Sequence, residues 1–343
     1  MRILAVGLAA VVVFFVARAP RRGTPPLKVY TWSNYFPESL LKEFTRRTGA
    51  SVELSYMASN EELLAKLRAG ATGYDIIQPS DYMVRTMRTA GLIQPLKKEK
   101  LPGLANLEDR FNKTSYDPGN AHSVPFTWGT TGIAIDTSKV KIPPGPVSWR
   151  ILLDSPQPQH TSALDDMRET FAMALAFRGL DINSTQAPAL ESARETIAAM
   201  KSRILMFTSE PKPLLLKGEL RIAHIFSCDA AQARKENSNI QYFIPAEGAV
   251  TWTDNFAIPS GSRQPDAAHA FIDFFLEPAN AVAVVREKHL ATPNRAARAL
   301  LSAEERDDRD IYPSEQDLKR THYLEETGTH GDLLSQLWTE LKS

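Results

Sequence analysis

The fold class is indicated by residues 27–56, LKVYTWSNYFPESLLKEFTRRTGASVELSY. The pattern predicts a strand over Leu27–Thr31, an amphipathic helix over Pro37–Thr48 and a second strand over Ser51–Tyr56. Gly49 is expected to end the helix, because glycine readily takes the left-handed conformation at a helix C-terminus. A strand, a helix and a strand in this order are typical of a parallel sheet covered by helices.

The alternation continues beyond this stretch. Ser59 and Glu62 have the spacing of a capping box and predict a helix that ends near Gly70. Tyr74–Gln78 is apolar enough for a third strand, and a further helix begins near Asp81. In parallel sheets, ligands bind beyond the carboxyl ends of the strands, where residues 32–35 and 80–82 are expected to meet.

The middle of the chain predicts a second α/β unit. Helices are expected there near 164–178, 186–201 and 229–237, and strands near 221–226, 240–244 and 251–257. After Pro259 further helices are expected near 266–275 and 279–288. The run Trp128-Gly129-Thr130-Thr131-Gly132 is interpreted either as a glycine-containing passage between two lobes or as a plain turn before a strand.

The N-terminus predicts export. Arg2 precedes 15 apolar residues, Ile3 to Ala17, and further arginines follow. This run is long enough for a signal peptide but shorter than the roughly 20 residues that span a bilayer. Pro20 directly after Ala17-Arg18-Ala19 disfavours cleavage there, so the segment is either removed elsewhere or kept as a membrane tether. Cys228 is the only cysteine, which excludes an intramolecular disulfide and a lipid-modified cysteine at the N-terminus.

Size and charge narrow the function classes. The 343-residue chain is large for one compact domain, so two lobes are expected. Without the N-terminal 26 residues, 36 basic and 40 acidic residues remain, hence a net charge of −4. This balance argues against a nucleic-acid partner, which requires a basic surface.

Two clusters combine aromatic rings with oxygen acceptors. They are Trp32-Ser33-Asn34-Tyr35 and Trp252-Thr253-Asp254. An ammonium ion over an indole gains roughly 0.5 to 2 kcal/mol, and a neighbouring carboxylate adds a charge-assisted hydrogen bond. Such clusters suit the binding of organic cations, although core aromatics with a capping acid have the same pattern.

Six segments in the same order resemble the periplasmic spermidine/putrescine-binding proteins. The resemblance extends from Leu27 over essentially the whole remaining chain. Its segments are residues 30–35 (YTWSNY), 69–75 with 79–80 (AGATGYD and PS), 128–132 (WGTTG), 247–254 (EG to WTD), 257–259 (AIP) and 292–294 (TPN).

The resemblance implies a two-lobed α/β periplasmic-binding-protein fold of the type II kind. Each lobe has a mixed, mainly parallel sheet flanked by helices, and the ligand lies in the cleft between the lobes. The implied division is a signal or anchor segment over 1–26, lobe 1 over 27–128 plus 255–296, and lobe 2 over 129–254 plus 297–343. A monomer in the periplasm that delivers putrescine or spermidine to an ABC transporter permease is expected.

The resemblance also implies the cleft residues. Aromatic and hydroxyl groups are expected to enclose the methylene chain of the ligand. Four acids, Asp166, Glu169, Asp229 and Asp254, are expected to neutralise its amines. The residues are Trp32, Ser33, Tyr35, Ser80, Asp81, Tyr82, Asp166, Glu169, Phe226, Asp229, Trp252 and Asp254. Repulsion between several acids is expected to raise their pKa values in the empty cleft.

Two of these acids have a second interpretation. Asp166 and Glu169 match the acidic pair of spermidine binders, and a spacing of three places them on one helix face. The same spacing fits acids that stabilise a helix N-terminus through the macrodipole. Asp229 stands where putrescine binders have an acid, so the ligand length stays open between the diamine and the triamine.

Departures from the family pattern affect specificity. Phe226 replaces a tryptophan, and Asn34 replaces an acid at the rim. Asp81 could restore that charge or could cap a helix. Leu290 and Leu324 replace a tyrosine and a glutamine, which makes this side of the cleft more apolar.

Rival functions have less support. An exported enzyme could use Asp166 and Glu169 as acid and base and Cys228 as nucleophile, but no metal-ligand spacing, nucleophile elbow or phosphate loop occurs. His224 is interpreted as a satisfied core histidine. We therefore expect no enzymatic activity, no cofactor and no metal. A membrane-tethered amine sensor, or a binder of another organic cation, is the second alternative.

Overall fold

The computed structural model describes residues 25–70, 73–142, 144–328 and 331–343. The predicted leader lies outside these residues up to position 24. The strands are β1 (Leu27–Thr31), β2 (Val52–Tyr56), β3 (Ile76–Ile77), β4 (Ser123–Asp136), β5 (Thr161–Leu164), β6 (Met206–Thr208), β7 (Ile222–Phe226), β8 (Ile240–Phe243), β9 (Ala249–Ala257) and β10 (Thr321–Tyr323).

Helices flank these strands along the described chain. They are α1 (Glu38–Thr48), α2 (Asn60–Arg68), α3 (Asp81–Thr89), α4 (Asp109–Asn112), α5 (Arg150–Leu153), α6 (Met167–Phe177), α7 (Ala187–Lys201), α8 (Pro211–Leu216), α9 (Ser227–Glu236), α10 (Pro265–Leu276), α11 (Pro278–Lys288), α12 (Arg295–Leu300), α13 (Ala303–Asp307), α14 (Glu315–Leu318) and α15 (Gly331–Lys342). Short 3₁₀ helices cover Lys98–Lys100, Pro102–Asn106 and Pro158–His160.

The strands form two groups that share β4. The order is β2-β1-β3-β9-β4-β7-β5-β6, with β10 added to β9 and β8 to β4. In the first group β1 runs parallel to β2 and β3, and in the second β5 runs parallel to β6 and β7. β4 pairs antiparallel with β9, β7 and β8. The fold is therefore a two-lobed α/β fold with a mixed, mainly parallel sheet, as predicted.

Local sequence signals account for the first elements. Helix α1 buries Leu40 and Phe44 and ends at Gly49, which has the left-handed φ of 75°. At α2 only half of the predicted capping box forms. The Ser59 side chain accepts a hydrogen bond from Glu62 N, but the Glu62 carboxylate accepts one from Ala58 N instead of Ser59 N.

The glycine-containing run 128–132 lies inside β4, so the alternative of a plain turn before a strand is wrong. Residues 123–130 of β4 pair with β9 and residues 131–135 pair with β7, so the strand changes partners within this run. A Cβ atom at Gly129 would lie 2.5 Å from Cζ2 of Trp252, and one at Gly132 would lie 2.4 Å from the backbone oxygen of Phe243. Glycine is required here because neighbouring chain segments approach closely.

Five phenylalanine rings pack against one another within the first strand group. Phe36, Phe126, Phe256, Phe271 and Phe275 contact one another with ring-centroid distances of 4.5 to 6.1 Å. These rings join β4, β9 and α10 to the segment that follows β1. Their packing fixes the backbone from which the first aromatic cluster projects.

No single helix of the described chain is long and apolar enough to cross a membrane. By length and composition, α10 and α11 together could do so, although a bend of 73° separates them.

Gly132→Ala tests the close approach at β4. We expect a loss of about 1–3 kcal/mol in the free energy of unfolding, because the new methyl group must displace the β8 backbone. Urea denaturation measures this loss. Gly73→Ala is the control, since a Cβ there meets nothing within 4 Å and should change stability by less than about 0.5 kcal/mol. Equal effects of the two variants would contradict the packing argument.

Candidate functional site

One cavity of about 430 Å³ lies where the two strand groups meet. All twelve residues predicted for the cleft line it: Trp32, Ser33, Tyr35, Ser80, Asp81, Tyr82, Asp166, Glu169, Phe226, Asp229, Trp252 and Asp254. Eleven further residues complete the lining: Tyr56, Met57, Ala58, Asn60, Glu62, Leu164, Ser209, Glu210, Cys228, Val250 and Leu324.

Most lining segments directly follow a strand. Residues 32–35 follow β1, 56–58 end and follow β2, 80–82 follow β3, 164–169 end and follow β5, and 226–229 end and follow β7. These are strands with parallel partners, whose carboxyl ends meet at one edge. The cavity therefore lies where the strand order predicts a binding site.

Asp254 is the centre of a hydrogen-bond network in the wall of the cavity. Its Oδ2 accepts a hydrogen bond from the Tyr35 hydroxyl at 2.6 Å, and its Oδ1 accepts one from the Ser80 hydroxyl at 2.6 Å. Asn60 Nδ2 donates to Ser80 Oγ at 3.0 Å. Burial raises the pKa of Asp254 to about 6, and the two hydroxyl donors oppose this rise. The network holds segments from β1, α2, β3 and β9 in one arrangement.

Asp81 connects α3 to β9. Its Oδ1 accepts a hydrogen bond from Tyr82 N and its Oδ2 accepts one from Thr253 N, both at 2.7 Å. Burial raises the Asp81 pKa to about 7, against these backbone donors. The N-cap residue of α3 is Ser80, so the alternative of Asp81 as the helix cap is wrong. Asp81 does bring a carboxyl group to the cavity wall.

Asp166 and Glu169 lie at the N-terminus of α6, which agrees with the interpretation that they stabilise the helix start. Asp166 is the N-cap residue and its Oδ1 accepts a hydrogen bond from Glu169 N at 3.0 Å. Both side chains also line the cavity. Burial, followed by the Asp166 charge, raises the pKa of Glu169 well above its usual range. Glu169 Oε2 is buried and has no hydrogen-bond partner in the described chain.

The second strand group contributes Phe226 and Asp229. The Phe226 ring meets the Trp252 indole edge-on, with centroids 6.0 Å apart and an angle of 89°. Burial raises the pKa of Asp229 to about 6, while Lys212 opposes the rise. An acid and an aromatic corner therefore face the cavity on this side as well.

Burial is the largest cause of every raised carboxyl pKa in this site. From the sequence, raised pKa values are expected for the cleft acids, with repulsion between the acids as their cause. Repulsion is smaller: at Glu169 the Asp166 charge ranks second, and at Asp81 the Asp254 charge ranks below two backbone hydrogen bonds. Removal from water is costly for each carboxylate by itself.

The departures from the family pattern do not all lie at the site. Leu324 lines the cavity, whereas Leu290 is buried in the hydrophobic core. Asn34 adopts a left-handed φ of 60°, which asparagine tolerates better than most residues. Its Nδ2 donates to Gln232 Oε1 at 2.6 Å, and Lys288 Nζ donates to its Oδ1 at 2.8 Å. Its amide therefore joins the segment after β1 to α9 and α11.

The residues of the enzyme hypothesis are poorly arranged for catalysis. Cys228 lines the cavity, but burial raises the pKa of its thiol well above the usual range, so the nucleophilic thiolate is disfavoured. His224 is a core residue, as interpreted, but it is not satisfied. Neither ring nitrogen has a hydrogen-bond partner in the described chain, and burial lowers its pKa to about 3.

Several lining residues were not predicted, although for some of them the sequence contains a recognisable pattern. Val250 shares the strand face of Trp252 and Asp254 by period two. Residues 56–58 follow a strand that was predicted, so the carboxyl-end rule would have included them. Ser209 and Glu210 follow β6, a three-residue strand that was not predicted.

The comparisons with known proteins agree with this architecture. Residues 39–309 match the family described as bacterial extracellular solute-binding protein. The spermidine/putrescine-binding periplasmic protein of Escherichia coli K12 is 33% identical over 322 residues, covering 92% of this chain and 91% of the relative. The putrescine-binding periplasmic protein PotF of the same organism is 33% identical over 337 residues, covering 92% and 91%.

A solved structure gives the same result. The spermidine/putrescine ABC transporter substrate-binding protein PotD of Streptococcus pneumoniae superposes with a TM-score of 0.75 at 31% identity, covering 93% of this chain and 100% of that chain. The resemblance to polyamine-binding proteins is confirmed. By matched residues, sequence identity and fold, this chain belongs to the bacterial extracellular solute-binding protein family.

Proposed function

We propose that this chain is an extracytoplasmic polyamine-binding protein that delivers putrescine, spermidine or both to an ABC importer. The observation that carries the proposal is the charge of the cavity wall. Seven acidic residues and no lysine, arginine or histidine of the described chain line it; the acids are Glu62, Asp81, Asp166, Glu169, Glu210, Asp229 and Asp254. A cationic ligand supplies the charge that this wall lacks.

The aromatic side chains fit the rest of such a ligand. Trp32, Tyr35, Tyr82, Trp252 and Phe226 provide flat apolar faces around the same space. Methylene groups pack against these faces, while each terminal ammonium gains a carboxylate and a cation–π contact. The relatives named for spermidine and putrescine support this ligand class.

Two features bear on ligand length. Asp229 and the apolar Leu324 favour a short diamine, whereas the Asp166 and Glu169 pair favours the triamine. Putrescine, or a mixed preference, is therefore the proposed specificity.

The wider role follows from the family. The protein acts in the periplasm as a monomeric binding protein, not an enzyme, and an ABC permease is its partner. Residues 3–17 serve as a signal or tether. The lobes comprise 27–128 plus 255–296 and 129–254 plus 297–343, and ligand that contacts both stabilises the closed arrangement.

Titration calorimetry of the purified protein in an amine-free buffer tests the ligand class. We expect tight binding at one site for putrescine or spermidine, and weaker binding of cadaverine and agmatine, whose length or charge pattern differs. The stoichiometry and the dissociation constants are the measured quantities. An absence of heat with all four amines would refute the proposed function.

Asp254→Asn tests the central acid. We expect amine affinity to fall by about 2–5 kcal/mol, because a buried ammonium loses its charged partner. The asparagine keeps a carbonyl oxygen for one of the two hydroxyl donors, so the fold should persist. Glu53→Gln, on the exposed edge of β2, changes the net charge equally and should leave affinity unchanged. Unaltered binding by Asp254→Asn would remove this residue from the site.

The raised pKa of Asp254 predicts a pH effect of defined sign. The empty folded protein holds this proton up to a pKa of about 6, against a usual value of 3.8. Stability contributed by Asp254 is therefore present below pH 3.8 and is lost as the pH rises through 6. Amine affinity changes in the opposite direction and should increase between pH 5 and pH 7.5.

Thermal melting of the wild type and Asp254→Asn, with and without putrescine, measures both effects. The difference between the two proteins is used because buried His224, with its lowered pKa, makes stability rise with pH in both of them. A wild-type advantage that grows from about pH 4 to pH 7 without ligand would contradict the burial of this acid.

A further inference from the structure

Arg168 lies behind the cavity wall and is almost fully buried. It is the second residue of α6 and is 6% exposed, and it is not part of the cavity lining. Its Nη2 donates to the backbone oxygen of Glu325 at 2.7 Å. Its guanidinium carbon lies 4.8 Å from the centroid of the Tyr82 ring. The cation is therefore held between a cavity-lining ring and the chain segment after β10.

Arg168 is not committed to a single acid. No carboxylate oxygen of the described residues lies within 4.0 Å of its guanidinium nitrogens. Its charge nevertheless lowers the pKa values of Glu61, Asp81, Asp166 and Glu169, against the burial that raises them. One buried cation is thus shared among four carboxyl groups at this end of the cavity.

Glu61 extends the same group behind the wall. Its Oε1 accepts a hydrogen bond from the Tyr82 hydroxyl at 3.1 Å, and it too is absent from the lining. Tyr82 therefore separates the ligand space from one fixed positive charge and from a carboxyl group whose pKa is raised by burial to about 7. Neither group needs to touch a ligand to influence its binding.

We propose that Arg168 sets the charge preference of the site, as a fixed internal cation that favours diamines over triamines. This inference rests on the proposed polyamine-binding function and deepens it. Arg168 places a fixed positive charge behind the Asp166 and Glu169 end of the cavity. Each additional ammonium is repelled by the same fixed charge, and the penalty grows with the number of ligand charges. Arg168 is a positioning residue that acts through the acids and Tyr82.

Arg168→Gln removes the charge but keeps a polar donor for Glu325 O. We expect the ratio of the putrescine to the spermidine dissociation constant to rise about tenfold, the change expected for one unit charge roughly 10 Å away at an effective dielectric of about 20. Arg168→Lys keeps the charge and should keep the wild-type ratio. Titration calorimetry measures both constants for each protein.

Arg178→Gln is the matched control. It removes an equal charge just beyond the C-terminal end of α6, where the side chain is exposed and donates to Thr196 Oγ1. The ratio should not change. Equal weakening of both amines in Arg168→Gln, with the ratio unaltered, would show a purely structural role and overturn the proposal.

Glu61→Gln provides a test that does not depend on how Arg168→Gln folds. The amide can still accept a hydrogen bond from the Tyr82 hydroxyl. At pH 8, above the Glu61 pKa of about 7, the substitution removes one negative charge behind the wall. The ratio should shift toward putrescine, opposite to the Arg168→Gln effect, and the double variant should return near the wild-type ratio. A shift toward spermidine in Glu61→Gln would overturn the proposal. Failure of the wild type to bind any amine would instead refute the proposed function.

Discussion

Several carboxyl groups are buried around one cavity, and the arrangement of the segments around the cavity follows from this burial. Each carboxylate loses its hydration, and the protein provides only partial compensation through hydroxyl and backbone donors. Asp254 has two hydroxyl donors and Asp81 two backbone donors, yet the pKa values of both groups remain raised. A site of this kind is incomplete without a cation, and that incompleteness favours ligand uptake.

The compensation that exists also assembles the site. Asp81 holds the N-terminus of α3 against Thr253, and Asp254 holds Ser80 and Tyr35. The same carboxyl groups that are available to an amine therefore fix the positions of the aromatic rings. Gly129 allows the Trp252 indole to lie directly against β4. Chemistry and packing are coupled here, since a change at one acid alters both the charge and the geometry of the cavity.

Charge behind the wall adds a second level of control. Residues that line the cavity decide which groups can contact a ligand, whereas Arg168 and Glu61 act through space in a region from which water is largely excluded. In such a medium an uncontacted charge has an influence comparable to that of a contact at an exposed site. A binding protein can thus adjust its preference among cations of different charge without changing the shape of the cavity.

Sequence patterns and the family resemblance predicted the fold class, most of the longer helices and strands, and twelve of the residues that line the cavity. Hydrophobic periodicity placed most helices and strands within a few residues, because α1, β1 and β9 bury regular apolar patterns. The six family segments contain Trp32, Ser33, Tyr35, Ser80, Trp252 and Asp254, and the resemblance along the rest of the chain supplied the other six predicted lining residues. A strand of three residues such as β6 is too short to show a hydrophobic period, so Ser209 and Glu210 were not predicted as lining residues.

The arrangement of the charges, by contrast, depends on contacts between segments that are distant in the sequence. Arg168 lies between Asp166 and Glu169 in the sequence, but residues one or two apart on a helix do not face each other, so the spacing names no partner for it. The fold turns the guanidinium toward Tyr82 and Glu325, while both acids face the cavity. Likewise, the sequence left residues 128–132 open between a passage between lobes and a turn, and only strand pairing places the Phe243 backbone against Gly132. Side-chain direction, burial and long-range contact depend on packing between distant segments, which local sequence patterns do not encode.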